Sequence, residues 1–154
     1  MKLAYAVFLF AAAGFFALTI LPLTIAPPQQ AWASDFSNGV FAPFCHQLPE
    51  RSITVAGATM PVCSRCFGIY LGMFLGALIY PRISSGKTPK GWVIFAAAAP
   101  LVIDGLTQLT GLRTSSNGLR MATGLLFGYV IPFYMIPILN DVLGGREIFK
   151  RRGR

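Results

Sequence analysis

The sequence predicts an all-α fold, an integral membrane four-helix bundle with a long extracytoplasmic first loop, and three observations lead there. Hydrophobic residues make up 55% of the 154 and charged residues only 12%, about half the charged share of a typical soluble domain. Four apolar stretches follow one another, each close to the ~20 residues that cross a hydrocarbon core of about 30 Å. The basic residues behind the net charge of +8 gather at the ends of those stretches. A length of 154 residues fits a single membrane domain, 1–154.

The first span is placed at 3–25, a stretch without a charge. Lys2 precedes it, and Ala31-Trp32-Ala33 resembles a signal-peptidase site. Residues 1–33 therefore also read as a cleaved signal peptide. The stretch is long for a signal core, which favours a retained helix. The loop at 26–60 carries Pro27, Pro28, Pro43 and Pro49 among Trp32, Phe36, Phe41 and Phe44. Proline discourages regular helix, and the aromatics suit the headgroup layer.

The second span is expected over 61–80, ending before Pro81, with Gly68, Gly72 and Gly76 four apart on one face. Such a stripe is a packing surface that lets a neighbouring backbone approach closely. The third, 91–111, contains Pro100, which frees the carbonyl of Ala96 and should kink the helix. The fourth, 119–143, carries Gly124 and Gly128 on one face, with Pro132 and Pro137 beyond them. A basic tail, 144–154, follows.

Four crossings sort the lysines and arginines into two groups. Lys2, Arg82, Lys87, Lys90, Arg146, Lys150, Arg151, Arg152 and Arg154 fall on one side, and Arg51, Arg65, Arg113 and Arg120 on the other. The richer side should face the cytoplasm, which places both termini inside a cell membrane, most naturally a bacterial one. Nucleic acid is a poor partner for this charge. Binding it calls for stacking aromatics among the basic residues, and the tail offers only Phe149. The expected partner is the lipid bilayer.

This topology puts the chemically distinctive residues on the outer face. All three cysteines fall between positions 45 and 66, as Cys45-His46-Gln47 and Cys63-Ser64-Arg65-Cys66. Cys63 and Cys66, three apart, would share a face of a helix, and such thiols bind metal or form a redox-active disulfide. A helix N-terminus and Arg65 would both favour a thiolate at Cys63. As a metal site, Cys45, His46, Cys63 and Cys66 form a Cys3His set suited to tetrahedral zinc. Cys45 and His46 are neighbours, however, and an extended backbone sends neighbouring side chains to opposite sides. A turn near Pro43 or Pro49 would bring both to one ion; otherwise one ligates and Asp104 or water completes the shell. Ordinary buried thiols are the plainer reading, and a structural hydrogen bond is the plainer role for His46.

As a redox site, Cys63 and Cys66 would form the reversible disulfide and Cys45 would exchange with it. Disulfide-generating quinone oxidoreductases place a C-x-x-C at the outer end of a helix in a four-helix bundle. They relay electrons through a second cysteine pair, which this chain lacks. A quinone belongs to that alternative only.

The second constellation is Asp104, Gln108, Arg113, Asn117 and Arg120. Asp104 and Gln108 share one helix face, and Asn117, Arg120, Gly124 and Gly128 line a face of the next. An ionised Asp costs about 2.5–3.5 kcal/mol in hydrocarbon on insertion scales, so a partner is required, with Arg113 or Arg120 the nearest in sequence. Either the pair clamps the third and fourth spans, or the group forms a polar pocket for an anionic lipid headgroup, a carboxylate or another envelope substrate.

Cys45-His46-Gln47-Leu48-Pro49-Glu50-Arg51-Ser52 and Pro61-Val62-Cys63-Ser64-Arg65-Cys66-Phe67-Gly68-Ile69-Tyr70-Leu71-Gly72 resemble an uncharacterised family of small prokaryotic membrane proteins, domain of unknown function 2085. Pro100-Leu101, Asp104-Gly105, Gln108, Arg113, Asn117 and Leu119-Arg120 fit it too. The resemblance implies a membrane protein and carries no activity. The order Asp104, Gln108, Arg113, Asn117 is also faintly similar to the VanZ-like membrane family, without the second acidic residue expected before the Asn. Three functional expectations result: a binding protein with a Cys/His metal site beside a polar pocket, a membrane thiol–disulfide oxidoreductase, and a lipid- or cell-envelope-directed factor.

Overall fold

A computed structural model describes residues 2–25, 29–55, 57–84, 88–112 and 114–144. Helix α1 (Lys2–Thr24) is followed by a short helix α2 (Gln29–Phe41), a single 3-10 turn at Pro49–Arg51 and a hairpin of β1 (Ser52–Val55) and β2 (Ala58–Cys63). Then come α3 (Ser64–Ile83), α4 (Trp92–Leu109), α5 (Asn117–Val130) and α6 (Pro132–Leu143). Four helices are long and apolar enough to cross a membrane: Lys2–Thr24, Ser64–Ile83, Trp92–Leu109 and the combined Asn117–Leu143. Apolar side chains around the bundle stay exposed, Phe10 at 78%, Phe95 at 75% and Leu109 at 84% among them. That surface suits lipid and would be a liability in water.

The segment expected as the loop 26–60 is more ordered than its prolines imply. The prolines bracket a helix instead of interrupting it: positions 29–41 contain none, and Pro43 lies just past the end. Proline is well tolerated immediately before and after a helix. Ala33, Ser37 and Phe41 are buried on one face of α2, while Trp32 and Phe36 stack on the exposed one. The hairpin pairs Ser52 with Cys63, Thr54 with Thr59 and Val55 with Ala58 in antiparallel register. Ile53, Thr54 and Val55 are β-branched, which favours a strand. Pro61 is accommodated because a two-stranded ribbon consists entirely of edges.

The second span consequently starts at Ser64, not at 61, since 61–63 complete β2. Its far end runs through Pro81 to Ile83, where the missing N–H costs one bond of the last turn. The fourth span breaks at Ile131, one residue before Pro132, into α5 and α6. Ser116 caps α5 by accepting from the Leu119 N–H at 3.3 Å. Ser116→Ala is expected to cost about 1 kcal/mol, read as a small fall in the thermal midpoint in detergent.

Helix α3 packs most closely on α5, α1 lies against α3 and α6, and α4 rests on α5. The α3–α5 seam is made by the glycines. A methyl group on Gly68, Gly72 or Gly76 would overlap the backbone carbonyls of Met121, Leu125 and Tyr129 respectively. Conversely, one on Gly124 or Gly128 would overlap the carbonyls of Arg65 and Ile69. Two clusters close the ends of the bundle. Phe41, Cys45 and Val62 pack with Leu18, Phe67 and Tyr70 at one end. Tyr80, Phe133 and Ile136 pack with Tyr5, Phe8 and Tyr129 at the other.

Candidate functional site

At the first of those ends the chain makes a corner. Cys63 is the last residue of β2 and the N-cap of α3, in extended conformation, and Cys66 lies in the first turn of the helix. Their proximity thus arises from a strand running into a helix, not from a shared helix face. Cys45 arrives from the other side, just beyond α2, where its N–H closes a turn on the Phe41 carbonyl. The hairpin is the device that returns the chain from Cys45 to Cys63. All three thiols are free, and their sulfurs lie within 4.8 Å of one another.

The Cys63 backbone N–H donates to Cys45 Sγ at 3.2 Å. The thiols of Cys63 and Cys66, together with that N–H, hold the Cys45 thiol well below its ordinary range, outweighing the effect of burial. Cys45 is buried while its neighbour His46 is exposed, the opposite-sides arrangement expected of adjacent residues in extended chain. The following residue, Gln47, has φ of 52° and turns the chain, its side-chain amide donating to the Asn38 carbonyl at 2.8 Å. His46 is outside the group formed by the three sulfurs.

Beside the thiols, one polar network links α3, α4 and α5. Asp104 near the end of α4, only 4% exposed, is ion-paired with Arg65 of α3. Gln108 donates through Nε2 to Asp104 Oδ2 at 2.8 Å. Its Oε1 accepts from Arg120 Nε at 3.1 Å and Nη2 at 2.9 Å. Arg120 Nη1 donates to Asn117 Oδ1 at 3.0 Å, and Asn117 Nδ2 donates to the Ser52 carbonyl at 3.4 Å, reaching the hairpin. Ser64 Oγ closes the circuit on the Arg51 carbonyl at 3.0 Å.

The structure therefore brings Asp104, Gln108, Asn117 and Arg120 together, and places Arg113 outside the described residues. Of the two arginines expected to neutralise Asp104, Arg113 lies outside the described residues, and Arg120 is corrected to an indirect partner. Among the described residues the pairing cation is Arg65, and Arg120 joins through Gln108. That ion pair ties α4 to α3, while Gln108 and Arg120 tie α4 to α5. Arg65 was visible as the charge inside Cys-x-Arg-Cys, and Asp104 is the one acid of the spans at that end. Matching the two required knowing that α3 starts beside the end of α4.

The thiols and the network meet at a cavity of about 170 Å³. Cys45, Cys63 and Cys66 form part of its wall, and Arg51, Arg65 and Arg120 another part. His46 and Gln108 also border it. This is a membrane-spanning bundle with a soft-donor triad and a guanidinium-rich cavity at one end. Residues 45–134, more than half of the chain, match the family described as predicted membrane protein, domain of unknown function 2085, and the chain belongs to that family. An uncharacterised protein of Methanocaldococcus jannaschii is 43% identical over 107 residues, 68% of this chain and 69% of that one. One of Methanothermobacter thermautotrophicus is 44% identical over 90 residues, 57% of this chain and 80% of that one. No solved structure matches.

Proposed function

We propose that Cys45, Cys63 and Cys66 hold a soft metal ion, zinc fitting best, at the outer face of the membrane. The observation that carries this is the gathering of three sulfurs within 4.8 Å. Zn–S bonds of about 2.3 Å in tetrahedral geometry set sulfurs about 3.7 Å apart, so only a small inward movement is needed. The N–H···S bond from Cys63 to Cys45 is the kind of outer contact that steadies a metal thiolate. His46, bordering the same cavity, or a water completes the shell. The ion would tie the segment between α1 and α3 to the start of α3, holding the hairpin over the polar network. The outer placement rests on the sequence count of lysine and arginine, whose richer group is expected on the other side of the membrane.

Protein purified without chelator should carry about one equivalent of zinc or another transition metal, and Cys45→Ser or Cys66→Ser should leave under about a tenth. Less than about a tenth in the unsubstituted protein overturns the reading. Thiol trapping that finds Cys63 and Cys66 oxidised and reduced in turn would replace it with the oxidoreductase.

A further inference from the structure

We propose that the cavity beside the thiols binds a phosphate-class oxyanion, received by Arg51 and Arg65 and backed by Arg120. Arg51, Arg65 and Arg120 all line it. Asp104 pairs with Arg65, and no carboxylate is among the described residues that line the cavity, so the cavity keeps an excess of positive charge. That excess remains whether Cys45 stands as a lone thiolate or all three thiols carry a metal, because a divalent ion on three thiolates also adds a single negative charge. The inference therefore stands beside the metal reading and does not require it.

Two donors at the cavity are unused. The Arg51 side chain is exposed and makes no hydrogen bond or ion pair among the described residues. Arg65 Nε is buried and has no partner there, although an unmet buried donor carries a real cost. An oxyanion would give Arg51 a partner beside the Arg65 guanidinium. The rest of the circuit holds its receiving groups still: Asp104 fixes one end of the Arg65 guanidinium, and Gln108 with Asn117 fixes Arg120. Guanidinium groups set in place by other bonds suit phosphate oxygens, which accept in pairs from the planar fork. The volume is several times the roughly 30 Å³ that one water occupies in the liquid, room enough for a small tetrahedral anion.

The phosphate could be free or the headgroup of a lipid, since the cavity sits at an end of the spans. The test uses the full chain in nanodiscs of phosphatidylcholine, titrated with inorganic phosphate, and a second preparation containing phosphatidic acid. Metal content is measured separately on the same samples. Saturable binding of inorganic phosphate is expected, weakened at least tenfold by Arg51→Met and unchanged by Arg82→Met at the opposite end of the bundle. Retention of phosphatidic acid that Arg51→Met abolishes, without binding of inorganic phosphate, supports the same site and assigns the anion to lipid. No response to either ligand overturns the proposal, as does acetate binding as tightly as phosphate, or equal binding by the Arg51→Met protein. A protein that binds phosphate but holds no metal retires the metal reading alone.

Discussion

Gly72→Leu is expected to force α3 away from α5 and leave a chain that inserts but does not hold its bundle in detergent. Even Gly72→Ala should lose about 3 kcal/mol, the upper end of the usual overpacking range. The reason lies in what the new carbon meets. A Cβ on Gly72 falls on the Leu125 carbonyl oxygen, with the backbone of Tyr129 and Gly128 close behind. A side chain in its path could rotate aside; a helix backbone held by its own hydrogen bonds cannot. The seam repeats this contact at Gly68 and Gly76, and Gly124 and Gly128 return it from the other helix. Relieving one clash therefore loosens its neighbours. Gly14 in α1 is the control, because nothing lies within 4 Å of an added Cβ there. Gly14→Ala should be neutral, or stabilising by up to about 1 kcal/mol. Thermal unfolding in detergent separates the two. A fall below about 2 °C for Gly72→Ala, roughly half a kcal/mol at this size, would sink the claim that the backbones touch.

The glycine seam also shows what a sequence can and cannot disclose here. Two stripes of small residues four apart announce two faces that admit a close neighbour, and the structure sets those faces against each other. The number of apolar helices was legible for the same reason, since hydrocarbon thickness fixes a length that composition displays. Harder to see was the segment between the first two long helices. Its prolines, taken over the whole stretch, spoke against helix, yet Gln29–Phe41 is free of them and forms one. The hairpin was hidden by the cysteine spacing, which invited a helix where Pro61, Val62 and Cys63 are strand. The thiol cluster itself was legible as a group of residues, but its geometry was not. Cys45 reaches Cys63 only because β1 and β2 fold back, a long-range arrangement that no local spacing encodes. Arg65 was hidden in the same way, by a contact that crosses 39 positions of sequence.

That contact sets the second large effect. Asp104→Ala should cost about 2–4 kcal/mol and disturb more than one helix. Removing a member of a buried ion pair strands its partner, and such losses run to about 3–5 kcal/mol when both charges are dry. Arg65 keeps about a quarter of its side chain exposed, 26%, so water offsets part of the penalty and brings the loss down to about 2–4 kcal/mol. Gln108 loses its side-chain acceptor in the same step and keeps the Asp104 backbone carbonyl, at 2.8 Å, to anchor the amide that presents Oε1 to Arg120. Asp104→Asn keeps an acceptor but removes the charge, and should fall between the two proteins. The decisive comparison is the pair of variants Asp104→Leu and Arg65→Leu. Each alone removes one side of the ion pair and together they remove both, so the double variant should recover about 2 kcal/mol relative to the sum of the single losses. Additive losses would mean that the charges do not act on one another. Recovery of stability with loss of phosphate binding would separate the two duties of Arg65, since an apolar pair can hold α3 to α4 but cannot receive an anion.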